Sequence, residues 1–154
     1  MPAELRVTIE SPLSADAAAL VEELDRDLLD RYPPSNIYGV ALDKLEGNQG
    51  FFVIARLDCQ PVGCGAVRFL EAGVGEIKRM FVRSSARRRG VGQAVLAALE
   101  QTAREMGIHT LRLETGTRQP EANSLYEKHG YGKIPCFGEY VNDPFSLCYE
   151  KALG

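Results

Sequence analysis

Long apolar runs, signal-peptide features and metal-binding cysteine spacings are all missing from this sequence of 154 residues. No apolar run reaches the roughly 18 residues that a membrane-spanning helix needs. The start, with Glu4 and Arg6, lacks the apolar core of a signal peptide. No C-x-x-C pair suggests a metal site, so we interpret the cysteines as reduced thiols. These absences predict a cytoplasmic protein with no metal and no membrane partner. The cysteines are Cys59, Cys64, Cys136 and Cys148.

A broad basic face is also missing, and the charge is unevenly distributed. The net charge is −3, and residues 1–50 carry ten acidic side chains against four basic ones. Residues 77–89 carry six basic side chains and no acidic one. A nucleic-acid-binding surface normally needs a wide basic face and aromatic stacking residues. The pattern therefore predicts no nucleic-acid partner, and it favours one local site for a compact polyanion.

The periodicity of the chain predicts an α+β fold in which one mixed sheet is flanked by helices. Internal repeats and low-complexity tracts are absent, so we expect a single domain over residues 1–154. Residues 58–61 predict a hairpin turn across which Cys59 and Cys64 could face each other, although plain packing also explains them. Residues 32–50 predict a short helix and a mobile loop. Strands are predicted at 5–9, 51–57, 62–69, 76–82, 110–114, 131–134 and 145–149, and helices at 14–30, 92–106 and 120–129.

The segment from Arg87 to Gln93 is the strongest functional signal in the sequence. It contains three arginines and two glycines, and it lies between a predicted strand and a predicted helix. Glycines let backbone N–H groups approach a phosphate, and the positive end of the following helix attracts the same anion. This order therefore predicts a site for a phosphorylated cofactor.

Two motifs give the chain a resemblance to a known family. The pattern Arg-x-x-Gly-x-Gly, formed by Arg87, Gly90 and Gly92, resembles the acetyl-CoA loop of the GNAT superfamily of N-acetyltransferases. Leu125 to Tyr131 is similar to a later helix and strand of that superfamily. The resemblance covers most of the chain after about residue 51 and implies the GNAT acyl-CoA N-acyltransferase fold. Residues 113–122 further resemble a large bacterial subgroup of small-molecule acetyltransferases.

The resemblance implies acetyl-CoA as cosubstrate and a set of residues that bind it. The strand before the loop carries a bulge in this superfamily, and its backbone groups bind the pantetheine arm and polarise the thioester carbonyl. The loop binds the pyrophosphate, although at least one of its arginines is expected to be merely solvated. Asn123 is a weaker candidate, because Gln119 replaces the superfamily's usual asparagine. The implied cofactor residues are Met80, Phe81, Val82, Arg87, Arg88, Arg89, Gly90, Val91, Gly92, Gln93, Asn123 and Tyr126.

Three residues are candidates for catalysis. By the resemblance, Tyr126 would protonate the departing thiolate, unless it only packs against the pantetheine arm. Glu76 coincides with the general base of the histone acetyltransferases, unless it is a strand-edge carboxylate in water or paired with Arg79. Glu114, at the end of the next strand, is the rival, because the resemblance implies that the two strands splay apart around the acyl chain and that both carboxylates could border the gap. It could instead bind the substrate's ammonium or cap the following helix. We rank Glu76 first as the base and expect Glu114 to position the acceptor.

The predicted reaction is acetyl transfer to a primary amine of a small molecule by direct attack in a ternary complex. An acetyltransferase for protein lysines or N-termini and a non-catalytic acyl-CoA sensor are the alternatives, and a homodimer is compatible with the sequence. The acidic first helix could favour a cationic acceptor or could be an ordinary solvated face. Aromatic residues in loops could line the acceptor pocket: Tyr32, Tyr38, Phe51, Phe137 and Tyr140.

Overall fold

The computed structural model describes residues 4–154, which form seven strands and three α-helices. The strands are β1 Leu5–Ile9, β2 Gly50–Leu57, β3 Gln60–Glu71, β4 Val74–Val82, β5 Thr110–Gly116, β6 Gly132–Ile134 and β7 Ser146–Ala152. The helices are α1 Ala15–Arg31, α2 Val91–Glu105 and α3 Pro120–Lys128. Across residues 4–154, none of the helices has the length and apolar character that crossing a bilayer requires.

All seven strands lie in one mixed sheet with the order β1-β2-β3-β4-β5-β7-β6. Neighbouring strands from β1 to β4 run antiparallel. Short turns join β2 to β3 and β3 to β4, whereas α1 and the segment after it lie between β1 and β2. β4 and β5 are parallel because α2 carries the chain back between them, and β5, β7 and β6 pair antiparallel. The prediction of a mixed sheet flanked by helices is confirmed.

The two faces of the sheet are covered by different helices. Side chains alternate between the faces along a strand. On one face Leu99 of α2 is fully buried in a core that includes Val53 and Val67. On the other face Leu20 of α1 packs with Phe52 in a second core. The sheet therefore separates an α2–α3 side from an α1 side, and any group that acts on both sides has to reach through the sheet.

The sheet has an opening between β4 and β5 through which a group could reach both sides. The two strands pair only from Val74–Thr110 to Ile77–Leu113, although β4 continues to Val82 and β5 to Gly116. The last part of β5 stays in the sheet through β7, where Gly116 still pairs with Ser146. The strands therefore splay apart beyond Ile77, as the resemblance implied.

A β-bulge interrupts β4 at the start of this opening. Lys78 pairs with Ala66 and Phe81 pairs with Cys64, so two residues of β4 lie opposite the single residue Gly65. Arg79, within the bulge, has a φ of +56°. A bulge leaves backbone groups of the extra residue outside the ladder. The bulge implied by the resemblance is confirmed at this position.

The predicted boundaries need small corrections. The hairpin turn shrinks to two residues, Asp58 and Cys59, which both adopt the positive φ that a type I′ two-residue turn requires. That turn leaves Cys59 exposed and Cys64 buried in the core, so the two do not face each other. Residues 32–50 contain two short 3₁₀ turns, Pro34–Asn36 and Leu42–Leu45, in place of the single predicted helix.

Candidate active site

The loop between β4 and α2 presents backbone N–H groups without a side-chain acceptor. Arg88 and Gly90 have φ values of +64° and +77°, which turn the chain sharply into the helix. Gly90 is the N-cap of α2, and having no side chain it makes no capping hydrogen bond. The first N–H groups of a helix have no partner within the helix itself. Those of Val91, Gly92 and Gln93 are therefore available for an anionic ligand.

A groove of about 530 Å³ runs past this loop between β4 and α3. Gly92 lies between the two sides, since a Cβ atom there would be 3.2 Å from Cδ2 of Leu125 and 3.7 Å from Cγ2 of Val82. The lining residues from β4, the loop and α2 are Met80, Phe81, Val82, Ala86, Arg87, Arg88, Gly90, Val91, Gly92 and Gln93. Those from α1 and α3 include Leu24, Asp27, Arg31, Glu121, Ala122, Leu125 and Tyr126.

Two of the predicted cofactor residues are outside this groove. Arg89 is not one of the described residues that line the groove, and its side chain is exposed to solvent. Asn123 is also absent, and its side-chain amide donates to the backbone carbonyl of Gly116 at 3.1 Å. The sequence could not settle either point, because both depend on which way a side chain turns. The other predicted cofactor residues all line the groove.

A smaller pocket of about 100 Å³ adjoins the groove. It is lined by Lys78 and Glu114 of the two splayed strands and by Tyr32 and Tyr38 of the segment that follows α1. Phe51 is buried in the core instead. The two cavities share Leu24, Met80, Gln119, Ala122 and Tyr126. A ligand in the groove and a ligand in the pocket would therefore meet at these residues.

Tyr126 lies at that junction and comes from α3. Its side chain is 5% exposed and packs edge-on against Tyr131, with ring centroids 5.8 Å apart. Within residues 4–154 its hydroxyl makes no side-chain hydrogen bond. Burial raises the pKa of Tyr126 above its usual range, and the negative charge of Glu114 acts in the same direction. The phenol therefore keeps its proton at neutral pH.

Glu114 extends from the end of β5 into the pocket. Burial raises its pKa from 4.5 to about 7, because the charged carboxylate loses hydration. A hydrogen bond from Ser146 Oγ at 2.7 Å and the nearby charge of Lys78 lower that pKa but do not cancel the effect of burial. A carboxyl group with this pKa exchanges a proton near neutral pH.

Glu76, ranked first by sequence, has different surroundings. Its side chain is fully buried and accepts hydrogen bonds from Arg68 at 2.7 Å and from the Tyr140 hydroxyl at 2.6 Å. Lys78 Nζ lies 3.9 Å from its second oxygen. Glu76 is not one of the described residues that line the groove or the pocket. Its carboxylate faces Arg68 and Tyr140, and neither solvent nor Arg79 pairs with it.

Lys78 is a pocket residue that sequence reasoning missed. Its side chain is 6% exposed, and Nζ donates to the Tyr140 hydroxyl at 2.8 Å and to the Tyr38 carbonyl at 3.2 Å. Burial lowers its pKa, while the charge of Glu76 opposes that shift. The sequence did contain a signal for Lys78, because it lies two residues after Glu76 in a predicted strand. That spacing puts both side chains on the same face of the sheet.

Two acidic side chains of α1 have arginine partners, one on β4 and one at the residue that follows β4. Arg79 donates to Asp25 at 2.6 Å, and Arg83 donates to both carboxylate oxygens of Glu23, with a shortest distance of 2.6 Å. Neither expectation for this helix, a cationic acceptor site or a fully solvated face, describes these two acids. Because Arg79 and Arg83 are neutralised, the basic character of the loop depends on residues 87–89.

The cysteines are all free thiols, as predicted. The close pair, however, is Cys136 and Cys148, whose Sγ atoms lie 2.7 Å apart. Cys148 on β7 pairs with Glu114 on β5, so this thiol pair lies beside the pocket. Residues 4–154 contain no group of three or more His, Cys, Asp or Glu side chains arranged to hold a metal ion.

The arrangement of a glycine-containing loop at the start of a helix, a groove and a tyrosine at its inner end agrees with comparisons to known proteins. Residues 17–131 match the family model described as the Acetyltransferase (GNAT) family. The chain belongs to the GNAT family of acetyltransferases. Enzymes of this family transfer acetyl groups from acetyl-CoA, so the chain is an N-acetyltransferase, as the sequence predicted.

Individual relatives and solved structures agree with the family assignment. An IAA acetyltransferase of Azospirillum brasilense is 42% identical to this GNAT chain and aligns with 94% of it and 95% of the relative. The uncharacterized N-acetyltransferase YsnE of Bacillus subtilis (strain 168) is 32% identical over 97% of this chain and 100% of its own length. A GNAT acetyltransferase structure from Elizabethkingia anophelis with acetyl-CoA bound is 15% identical, covers 96% of this chain and 97% of its own, and has a TM-score of 0.69, which supports the shared fold.

Proposed function

We propose that this protein transfers an acetyl group from acetyl-CoA to a primary amine of a small molecule, by direct attack in a ternary complex. The observation that carries the proposal is the junction of groove and pocket at Tyr126. A thioester in the groove and an amine in the pocket would meet there, so no acyl-enzyme is needed. Holding two reactants in contact removes much of the entropic barrier to their reaction.

Acetyl-CoA would bind with its pyrophosphate at the start of α2 and its pantetheine arm along β4. The unpartnered N–H groups of residues 91–93 and the side chains of Arg87 and Arg88 favour the negative charge there. The bulge leaves backbone groups near Met80 outside the sheet ladder, and Met80 lines both cavities. One of these groups would stabilise the oxyanion that forms on the thioester carbonyl.

We assign the general base to Glu114 and not to Glu76. An alkylammonium group has a pKa near 10, so it must lose a proton before it can attack. Glu114 lines the pocket and has a pKa of about 7, so its carboxylate form is available at neutral pH. Glu76 holds the Arg68 guanidinium inside the protein. Glu76, which we ranked first as the base from the sequence, therefore has a different role: it positions Arg68 and Lys78.

The remaining steps involve Tyr126. Once Glu114 has accepted the proton, the amine attacks the carbonyl carbon to form a tetrahedral adduct. The nitrogen of the adduct gives up its second proton to water, and collapse of the adduct breaks the carbon–sulfur bond and releases a thiolate. The buried, protonated phenol of Tyr126 would donate its proton to that sulfur, and the phenolate would recover a proton from solvent. The products are an N-acetyl amine and free coenzyme A.

The deciding experiment is acetyl-CoA-dependent thiol release with a panel of small amines, together with IAA because a relative is named for it. We expect thiol release with at least one amine. The kcat/KM for that amine should rise with pH along a limb whose midpoint lies near the pKa of Glu114, about 7. Glu114→Gln should remove that limb and lower kcat by roughly 10²–10⁴. Glu76→Gln is the matched control and should leave the limb in place.

Other outcomes would replace the proposal. Acetyl-CoA binding without thiol release for any acceptor would favour the acyl-CoA sensor. Acetylation confined to protein lysines or N-termini would favour a protein acetyltransferase. A pH limb that disappears in Glu76→Gln and persists in Glu114→Gln would return the base role to Glu76.

A further inference from the structure

Lys78 has a buried positive charge that the reaction described above does not use. We propose that the acceptor carries a carboxylate as well as its amine, and that Lys78 binds this carboxylate inside the pocket. The inference rests on the proposed function, since it names the chemical class of the amine that Glu114 deprotonates. It is carried by the burial of Lys78, its hydrogen-bond partners and its position opposite Glu114.

The ammonium group of Lys78 has one more donor than the protein satisfies. A lysine ammonium has three N–H donors. In the part of the chain that the structure describes, Nζ has two acceptors within hydrogen-bond distance, the Tyr140 hydroxyl and the Tyr38 carbonyl. The nearest oxygen of Glu76 is farther away, at 3.9 Å. Because Lys78 lines the pocket and its side chain is 6% exposed, the third donor is available to a ligand there.

The carboxylates around Lys78 have other cations to balance. Glu76 makes its closer contact, 2.7 Å, with Arg68 and lies 3.9 Å from Lys78 Nζ. Glu114 also acts on Lys78, but in the proposed complex its charge faces the acceptor's ammonium, and Glu139 acts only from an exposed position. Burying a cation without a close anion is costly, and a carboxylate of the acceptor in contact with Nζ would remove that cost. A carboxylate brings one negative charge to the single charge of Lys78, whereas a phosphate group would bring nearly two.

The positions of Lys78 and Glu114 suit an acceptor that carries both charges. Ile77 and Leu113 are the last paired residues of β4 and β5, and Lys78 and Glu114 are the next residue on each strand. Their side chains point to the same face of the sheet, where the strands separate. The pocket therefore offers a carboxylate on one strand to the substrate's ammonium and an ammonium on the other strand to its carboxylate. Amino acids are the simplest small molecules with this pair of groups.

The test compares matched acceptors that differ only in the anionic group. Thiol release is measured for the standard amino acids and β-alanine, for their carboxamides, and for aminoethyl phosphate. We expect kcat/KM for the best carboxylate to exceed that of its carboxamide by about tenfold or more, since a hydrogen bond between charged groups is lost in the amide. Lys78→Met should abolish this preference mainly by raising KM for the carboxylate, and Lys78→Arg should retain part of it. Lys133→Met, at an exposed lysine of β6, is the matched control and should change nothing.

Each alternative result has a distinct meaning. Carboxamides that react as well as the acids would overturn the inference while leaving the acetyltransferase proposal intact. A preference for aminoethyl phosphate would overturn the choice of carboxylate, and a preference that survives in Lys78→Met would overturn the role of Lys78. No thiol release with any acceptor would refute the proposed function itself. If Lys78→Met failed to bind acetyl-CoA, and so was misfolded, the wild-type comparison of acids with amides would still decide the question.

Discussion

At the scale of single residues, the surroundings of two carboxylates decide their chemistry. Glu76 and Glu114 lie on neighbouring strands, and the first is fully buried while the second is half-buried. An arginine 2.7 Å from Glu76 balances its charge inside the protein, whereas burial without such a partner raises the pKa of Glu114 to about 7. Two carboxyl groups whose environments differ in this way are suited to different roles. The first holds cations in position, and the second exchanges a proton.

Tyr126→Phe should lower kcat far more than it weakens acetyl-CoA binding. Removing the hydroxyl leaves the ring packed against Tyr131 but takes away the proton donor at the junction. General acid catalysis contributes roughly 10²–10⁴ in rate, so we expect a loss of that size in kcat with little change in the coenzyme A dissociation constant. The measurements are steady-state kinetics and equilibrium binding of the same variant.

Tyr149→Phe is the control for that experiment. Its hydroxyl donates to Glu127 at 2.7 Å, and its ring lies 6.5 Å from that of Tyr126. Tyr149→Phe also removes a phenol oxygen from a buried tyrosine, but this tyrosine lies outside both cavities. Its kcat should therefore be nearly unchanged. A kcat of Tyr126→Phe within a factor of about two of the parent would mean that water protonates the thiolate.

Residue identity predicted part of this site. Tyr126 and Glu114 were candidates from motif and position, and both line the pocket. The order of Glu76 and Glu114 was not predictable, because it depends on Tyr140, which is 64 positions away in sequence and donates to Glu76. Lys78 was missed because its role depends on which loops cover the sheet. Such long-range packing leaves no local signal in the chain.

At the scale of elements, the local sequence pattern predicted the β4–loop–α2 unit well. Glycine at position 90 adopts a φ of +77°, which L-residues rarely do, and α2 starts at the next residue. The splay of β4 from β5 and the bulge came only from the family resemblance. The bulge is a register shift between β3 and β4, and the splay is the point where the pairing of β4 with β5 ends. Both depend on two strands together, so the sequence of one strand does not contain them.

Gly90→Val should weaken acetyl-CoA binding by about tenfold or more, since a strained loop would move the N–H groups that bind charged phosphate oxygens. Gly47→Val is the matched control. Gly47 has a φ of +66°, and at both glycines an added Cβ atom would meet nothing within 4 Å. The backbone strain is therefore similar, but Gly47 lies outside the groove among residues 4–154.

The readouts for this pair are the melting temperature and the coenzyme A dissociation constant. We expect both variants to lose similar stability and only Gly90→Val to lose affinity. Equal affinities for the two folded variants would contradict the placement of the pyrophosphate at the start of α2.

At the scale of the whole molecule, charge pairing between elements prepares the site. α1 gives Glu23 to Arg83 and Asp25 to Arg79, so the acidic first third of the chain neutralises the basic end of β4. Uneven charge along the sequence becomes a set of ion pairs in the fold. Arg79 and Arg83 are balanced in this way, whereas the three arginines of the loop, at positions 87–89, are exposed to solvent.

Glu114 should make the stability of the whole fold depend on pH. Its pKa is raised from 4.5 to about 7 in the folded protein, so the folded state holds the proton more tightly than the unfolded chain does. Stability therefore falls as pH rises from about 4.5 to about 7, and the loss is complete above that range. At 1.36 kcal/mol per pKa unit, the loss is on the order of 3 kcal/mol.

Glu114→Gln removes this ionisation and retains an oxygen that can accept from Ser146. In urea unfolding, the variant should be more stable than the parent at pH 8 and nearly equal to it at pH 4.5. Glu76→Gln should behave differently, because it leaves Arg68 without its anionic partner and lowers stability by about 1–3 kcal/mol at pH 8. If Glu114→Gln were less stable than the parent at pH 8, the ionised carboxylate would have a stabilising partner, and the basis for its role as the base would be lost.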